Sequence, residues 1–175
     1  HVNTLFDPVT IGRIELANRI VMAPMTRSRA DEHDAPTDLH VEYYRQRACA
    51  GLIISEGTQP SPDGKGYCRT PGIHSEHQVQ AWKRVTDAVR AAGSHMVMQL
   101  MHCGRVASRY NKAPDARTVA PSAIRARVQM YTDAAGMQDC DVPHALTTAE
   151  IGDVIAEYRQ ATLNALKAGC EGVEL

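Results

Sequence analysis

The sequence predicts an α/β fold built on a parallel sheet, because short apolar runs alternate with amphipathic helical segments along the chain. Four runs have the length and apolar content of buried strands: IVMAP (20–24), LIIS (52–55), HMVMQLMH (95–102) and GVEL (172–175). Helices are predicted between them at 38–51, 74–93 and 147–169. A helix that connects two strands of one sheet gives a parallel pair with a right-handed crossover.

The first part of the chain predicts a hairpin and a helix. In VTIGRIELAN (9–18), two β-prone runs flank Gly12-Arg13, which is typical of a small hairpin. The segment 38–51 follows Pro36-Thr37 and reaches Gly51, so a helix is expected to end at that glycine.

The segment 74–93 has the clearest helical pattern. Ser75 and Gln78 have the spacing of a capping box, and Gly93 stands where a residue after the helix end belongs. The side chains predicted to face the core are Val79, Trp82, Val85 and Val89.

The last predicted helix, 147–169, carries the same signals. Thr147 and Glu150 form the capping box, and Gly169 ends the pattern. Its predicted apolar face consists of Ile151, Val154, Ile155, Tyr158 and Leu166. The segment before it, 103–146, has no strong periodicity and is too long for a simple connection, so we expect it to cover the carboxyl ends of the strands.

Two architectures fit this alternation, an open doubly wound sheet and a (β/α)8 TIM barrel. A nucleotide-binding doubly wound fold usually carries GxGxxG after its first strand, whereas the turn here reads PMTRSRA. The barrel is therefore favoured. Four strands are half of a barrel, and a whole barrel needs about 250 residues. We expect residues 1–175 to form the N-terminal half of one barrel domain that ends in its fourth strand.

Composition excludes several classes of protein. The formal net charge of −1 argues against a nucleic-acid partner, and no apolar run approaches the length of a membrane span. The first residues, HVNTLFDP, contain no run of signal-peptide type. The five cysteines are odd in number and widely spaced, which is typical of reduced cytoplasmic thiols and predicts neither a disulfide framework nor a metal site.

The carboxyl ends of the strands are where a barrel places functional groups. They carry Pro24-Met25-Thr26, Glu56-Gly57-Thr58, Gln99 and His102. Apart from Glu56 these are neutral donors and acceptors, which suits a flat heteroaromatic ligand with carbonyls and ring nitrogens. Each group also has a structural interpretation: Thr26 as a turn cap, Gly57 as a turn residue, and Gln99 and His102 as satisfied core residues.

Several blocks together resemble the N-terminal half of the old yellow enzyme family, which are flavin-dependent ene-reductases on a (β/α)8 barrel. The blocks, in chain order, are LFDPVTIGRIELANRIVMAPMTRSRA, EYYRQRACAGLIISEGT, KGYCRTPGIHSEHQVQAWKRVTDAV, QLMHCGRVA, VAPSAI and GVEL. They cover essentially the whole chain.

The resemblance implies an FMN site at the strand ends. Backbone of Ala23, Pro24 and Met25 would line the flavin ring, and the Thr26 hydroxyl would bond the flavin carbonyl next to the hydride-carrying nitrogen. Two further groups would complete the site: Gly57 near the same carbonyl and Gln99 on the pyrimidine edge. Another branch of the family has Cys in place of Thr.

The resemblance also implies a substrate pocket. Tyr67, in KGY, matches an aromatic that contacts substrate, and Met101 stands where relatives have a Trp that walls the pocket. Met is narrower and more flexible than Trp, so a different substrate scope or facial selectivity is expected. Met101 as a simple space-filling residue is the alternative.

In the family, the strand ending VEL runs into the His-His or His-Asn pair that holds the substrate carbonyl, and then into the proton-donating Tyr. These groups and the phosphate site would follow Leu175, so no catalytic residue is assigned in this chain and it is expected to be inactive alone. The completed enzyme would use NAD(P)H and FMN to reduce enones, nitro compounds or nitrate esters.

Two other interpretations stay open. One is a stand-alone or engineered half-barrel that binds flavin or a partner chain without catalysis, and the other is a non-flavin barrel enzyme. The partners expected for the enzyme are a small enone, the C-terminal half of the barrel, as part of the same protein or as a second polypeptide, and a further copy in a homo-oligomer; no nucleic acid or membrane partner is expected.

Overall fold

A computed structural model describes residues 4–175, so the first three residues of the predicted domain lie outside it. In chain order the strands are β1 (Val9–Ile11), β2 (Ile14–Leu16), β3 (Val21–Met22), β4 (Leu52–Ile54), β5 (His95–Gln99), β6 (Val119–Ala120), β7 (Gln129–Thr132), β8 (Gly136–Asp139), β9 (His144–Ala145) and β10 (Val173–Glu174). The α-helices are α1 (Asp38–Arg45), α2 (Glu76–Ala91) and α3 (Thr148–Lys167).

The central sheet is parallel, with strands in the spatial order β10-β5-β4-β3. One helix connects each strand to the next, as α1, α2 and α3 follow β3, β4 and β5. Spatial order therefore follows chain order without reversal, which is the topology of a barrel and not of a doubly wound sheet with its switch point. The predicted hairpin, β1 with β2, is confirmed, and Gly12 at its turn has φ +61°.

Alternate residues of the sheet face two different environments. Ile53, Met96 and Met98 are buried against the helices. Their neighbours Leu52 and Val97 point to the opposite side and are only half-buried. That opposite side is the concave face, which would be the interior of a closed barrel.

The prediction of a buried first strand is wrong in one respect. Only Val21–Met22 of the predicted 20–24 is strand, and Val21 is 44% exposed. It pairs with Leu52 and so lies on the concave face, while Met22 packs against the core. The edge position and the open concave face explain the exposure.

The core lies between the sheet and the helices, with Trp82 at its centre. Trp82 is fully buried, donates from Nε1 to the carbonyl of Gly72 at 3.1 Å, and packs near the rings of Tyr44 and His40. The predicted face of α2 is confirmed, since its other three members are also buried: Val79, Val85 and Val89. The predicted capping box of α2, Ser75 with Gln78, is present.

Helix α1 is shorter than predicted, because it ends at Arg45 and not at Gly51. Backbone N–H groups of Arg47, Ala48 and Ala50 donate to carbonyls three residues earlier, so the chain leaves the α-helix in tight turns. Gly51 has another role: a Cβ there would lie 2.3 Å from the Asn18 carbonyl oxygen.

Helix α3 has the predicted capping box, but its predicted core face is wrong at three of its five positions, since only Val154 and Tyr158 are partly buried and Tyr158 packs against the core. Ile151, Ile155 and Leu166 are exposed, with Ile155 at 65%. The buried positions of this helix are Ala161 and Ala165. Small residues let α3 approach closely, and its large apolar side chains are left on the outer surface.

Residues 103–146 are more structured than their sequence predicts. They contain the antiparallel hairpin β7–β8 and the parallel pair β6–β9, which connects the interior of the segment to its C-terminal end. Asn111 ties the hairpin to the loop before Tyr67, because its Nδ2 lies 3.1 Å from both the Tyr131 and the Gly66 carbonyl oxygens. No helix in the described residues is long and apolar enough to cross a membrane.

Acid should weaken the start of α3. Hydrogen bonds from the Thr147 backbone, then from Arg117 and His144, lower the pKa of Glu150 to about 2. The folded pKa lies below the unfolded value, so the stabilisation is complete above pH 4.5 and is lost as the pH falls toward 2. We expect Glu150→Gln to flatten the acid limb of a Tm-against-pH curve. Asp153→Asn, at an exposed acid of the same helix, is the control; equal curves for Glu150→Gln and the unsubstituted chain would contradict the expectation.

Candidate functional site

The carboxyl ends of the four parallel strands meet at one edge of the sheet. We define the carboxyl rim as Ala23–Thr26, Glu56–Thr58 and Gln99–Met101. Direct contacts connect its three segments: Arg27, the residue after the first segment, donates its N–H to Glu56 Oε2 at 3.2 Å, and the Thr58 N–H donates to the Gln99 carbonyl at 2.9 Å. The sequence-predicted strand-end residues are therefore neighbours.

The segment after β3 exposes polar atoms and backbone to solvent. Ala23, Met25 and Thr26 are exposed and Pro24 is half-buried. Within residues 4–175 the Thr26 hydroxyl has no hydrogen-bond partner, so the interpretation of Thr26 as a turn cap is not supported. Its donor and its acceptors are free for a ligand.

Gly57 and Met101 are in close contact. A Cβ at Gly57 would lie 2.5 Å from Met101 Cε and 2.9 Å from Sδ, so the methionine occupies the room that a side chain would need. The Met101 N–H donates to the Thr58 carbonyl at 3.0 Å, which fixes the backbone of this pair. Because residue 57 is glycine, the Met101 side chain can lie directly against the backbone that follows β4.

Gln99 is half-buried at the end of β5 and faces the concave side. Its Nε2 donates to Glu174 Oε2 at 3.3 Å, and its backbone N–H donates to Ser55 Oγ at 3.1 Å. The amide oxygen remains available as an acceptor. The amide is therefore held by the neighbouring strand while one polar atom can contact a ligand.

Tyr67 is 43% exposed and lies on the loop after β4. Its carbonyl accepts from Thr70 Oγ1 at 3.0 Å, and the preceding Gly66 carbonyl accepts from Asn111. Hydrogen bonds to the carbonyls of Gly66 and Tyr67 thus hold the backbone that carries the Tyr67 ring.

Glu56 stands out in the sequence only as the single carboxylate at a strand end. In the structure it is fully buried and contacts Arg27, Tyr44 and His40. Burial and then the charge of Glu56 raise the pKa of Tyr44 well above its usual range, so the phenol keeps its proton. The spacing from Tyr44 to Glu56 crosses a helix–strand connection, and periodicity within one element could not reveal the contact.

The interpretation of His102 as a satisfied core residue holds only in part: the side chain is half-buried, but its Nε2 has no hydrogen-bond partner among the described residues. Its Nδ1 accepts the Gly104 N–H at 3.0 Å, and burial lowers its pKa, so the ring is neutral at pH 7. In the described part of the chain, no three His, Cys, Asp or Glu side chains form a group that could hold a metal ion.

The carboxyl rim fits a flat, uncharged ring with carbonyl and N–H groups. A free hydroxyl stands at Thr26, an acceptor stands at Gln99, and the Glu56 carboxyl group is buried away from solvent. The chain has no phosphate-binding glycine loop at its strand ends.

The sequence profile of the NADH:flavin oxidoreductase / NADH oxidase family matches residues 4–175. The chain belongs to this family. Chanoclavine-I aldehyde reductase from Penicillium roqueforti, a similar protein, is 41% identical over 98% of this chain and 45% of its own length. The chain thus spans about half the length of the curated relatives it matches.

Solved structures agree with the family and with the fold. The old yellow enzyme homologue from Zymomonas mobilis superposes with a TM-score of 0.92 at 44% identity, over 98% of this chain and 47% of that one. Morphinone reductase in complex with tetrahydroNAD gives 0.90 at 41% identity, over 98% of this chain and 48% of that one. The predicted resemblance to old yellow enzymes and the predicted TIM-barrel class are confirmed, with this chain covering about half of each structure.

Proposed function

We propose that this chain supplies the flavin-ring half of an FMN-dependent ene-reductase. The observation that carries the proposal is an unpartnered Thr26 hydroxyl after β3 together with the Gln99 amide at the end of β5, on the same carboxyl edge of a parallel sheet with β4 between them, in a chain of the NADH:flavin oxidoreductase family. When bound, FMN would take hydride from NAD(P)H and deliver it to the β-carbon of an α,β-unsaturated carbonyl compound.

The proposed roles follow the geometry of the carboxyl rim. Exposed backbone of Ala23–Met25 would lie along the ring, and the Thr26 hydroxyl would donate to a ring carbonyl. Gln99 would meet the ring's N–H and carbonyl edge, and Gly57 would allow close approach. A donor at the carbonyl stabilises negative charge on the reduced ring and so raises its reduction potential.

Tyr67 and Met101 are proposed to border the substrate pocket, next to the ring. Tyr67 offers an exposed phenol, and Met101 packs on Gly57 beside the ring site. The proposed substrates are small enones, with nitro compounds and nitrate esters as further acceptors. We propose a cytoplasmic protein that uses NADPH or NADH.

An interaction with the other half of the barrel is proposed as well. The exposed apolar side chains of α3 and the two open sheet edges favour burial against further protein, either in the same polypeptide or in a second one. The corresponding alternative function is a half-barrel that binds flavin or a partner without catalysis. Enone reduction with NADPH, measured with and without the C-terminal half of a relative, distinguishes the two.

FMN titration tests the site directly. We expect the chain to quench FMN fluorescence, and Thr26→Ala to weaken binding about fivefold to tenfold, because one net hydrogen bond is lost. Thr10→Ala, an exposed threonine of the β1–β2 hairpin, is the matched control and should leave affinity unchanged. Absence of FMN binding by the unsubstituted chain would refute the proposed function for this chain.

A further inference from the structure

Glu56 is contacted from two parts of the fold, the segment after β3 and helix α1. Its Oε2 accepts the Arg27 backbone N–H at 3.2 Å, and its Oε1 accepts the Tyr44 hydroxyl at 3.2 Å. His40 Nε2 lies 3.3 Å from the same Oε1 without forming a hydrogen bond. The side chains of Glu56, Tyr44 and His40 are essentially inaccessible to water.

The proton positions around Glu56 follow from the surrounding bonds. Tyr44 Oη accepts the Glu56 backbone N–H at 2.8 Å, so its own proton is free to point at the carboxylate. His40 Nδ1 accepts the Thr37 backbone N–H at 3.0 Å, so a neutral ring carries its proton on Nε2, facing Glu56. A carboxylate accepts from both the Arg27 N–H and the Tyr44 hydroxyl and turns an oxygen toward His40 Nε2, whereas an amide would turn an NH₂ group toward at least one of these groups.

The Arg27 contact holds a strained segment. Ser28 has φ +51°, a left-handed conformation that is unfavourable for a non-glycine residue. Bonds on either side maintain it: Arg27 N–H to Glu56, Thr37 Oγ1 to the Arg29 carbonyl at 3.2 Å, and Ala30 N–H to the Arg69 carbonyl at 3.0 Å. Such strain persists where the surroundings fix the backbone, and it is frequent next to functional groups.

Thr26 immediately precedes this segment and has no hydrogen bond of its own within the described residues. The position of its hydroxyl is therefore set by the backbone on which it stands. The nearest fixed point on the C-terminal side is the Arg27 N–H bonded to Glu56.

We infer that Glu56 is a positioning residue for the cofactor: with Tyr44 and His40 it holds the Arg27 N–H, and through that bond it places the Thr26 hydroxyl against the flavin carbonyl. The inference rests on the proposed function, since it assigns how the same site is aligned. Glu56 contacts neither the flavin nor the substrate in this scheme. Its effect on the flavin passes through Thr26.

The first experiment tests the contact in the chain without FMN. Hydrogen exchange at the Arg27 amide, followed by NMR, should become about tenfold faster in Glu56→Gln, because the bond to the carboxylate is weakened. Glu42→Gln is the matched control, since Glu42 is an exposed carboxylate on α1 that pairs with Arg45. Unchanged exchange in Glu56→Gln would overturn the inference. Tyr44→Phe, which removes one hydroxyl, provides the same test if the first variant does not fold.

The second experiment uses the FMN-bound chain and measures the midpoint potential of the flavin. Glu56→Gln should shift the potential to a more negative value, as Thr26→Ala does, and the two shifts should not add in the double variant. A purely structural role would lower Tm without moving the potential. Additive shifts, or an unmoved potential in Glu56→Gln, would overturn the inference while FMN binding by the unsubstituted chain keeps the proposed function intact. Failure of that chain to bind FMN would instead refute the proposed function, and the inference with it.

Discussion

Trp82→Ala should destabilise the chain by about 3–5 kcal/mol, enough to unfold much of the population. Trp82 is the largest fully buried side chain, it packs against Tyr44, and its Nε1 bonds the Gly72 carbonyl. Truncation leaves a cavity between α1, α2 and the sheet, and it leaves a buried carbonyl without its donor.

Urea unfolding followed by far-UV circular dichroism measures this effect. Trp82 is the only tryptophan in the sequence, so tryptophan fluorescence would be absent from the Trp82→Ala variant and could not be compared with that of the unsubstituted chain. Lys83→Ala, the neighbouring exposed position on α2, is the control and should change stability by less than about 0.5 kcal/mol. A loss below about 1 kcal/mol for Trp82→Ala would show that the core is not organised around this ring.

Gly51→Ala should cost about 2–4 kcal/mol, through a clash with backbone and the loss of a hydrogen-bonded junction. The new methyl group would lie 2.3 Å from the Asn18 carbonyl oxygen, and backbone at that point has little freedom to move. Asn18 Oδ1 also accepts the N–H groups of Gly51 and Ile20, at 2.8 and 3.0 Å. Displacing Asn18 would loosen the start of both β3 and β4.

Gly152→Ala provides a control of the same chemical change with the opposite expected sign. Gly152 lies in α3, and a Cβ at this position would have no atom within 4 Å, so the alanine should stabilise by about 0.5–1 kcal/mol. Thermal unfolding of the two variants, side by side, checks both. Equal shifts in Tm for Gly51→Ala and Gly152→Ala would mean that the close approach of residue 51 to Asn18 does not affect stability.

The strands, the helices and their order could be predicted because each depends on local pattern. Capping boxes at Ser75 and Thr147 bind backbone three residues away, so their spacing is visible in sequence. The side of α3 that faces the core could not be predicted from apolar content, since close packing selects Ala161 and Ala165 over Ile155. The β7–β8 hairpin was not predicted because its alternation is short and follows an irregular segment.

For the candidate site, the strand-end rule placed Thr26, Gly57 and Gln99 on one rim, because parallel strands deliver their carboxyl ends to the same edge. Their roles toward FMN came from the resemblance and stay predictions. The contacts of Glu56 could not be predicted, because they join residues 12 to 29 positions apart on separate elements. In the sequence, Glu56 differed from the other strand-end residues only as the one carboxylate among neutral groups.

The alternating sides of the central sheet should respond to different selections. Ile53, Met96 and Met98 face the helices, so a library screened only for folded chain should reject polar residues there and accept many at Leu52 and Val97. A library screened for retention of yellow colour should add constraints on the concave side. Neighbouring residues of one strand would then tolerate different substitutions, because one is constrained by folding and the next by cofactor binding.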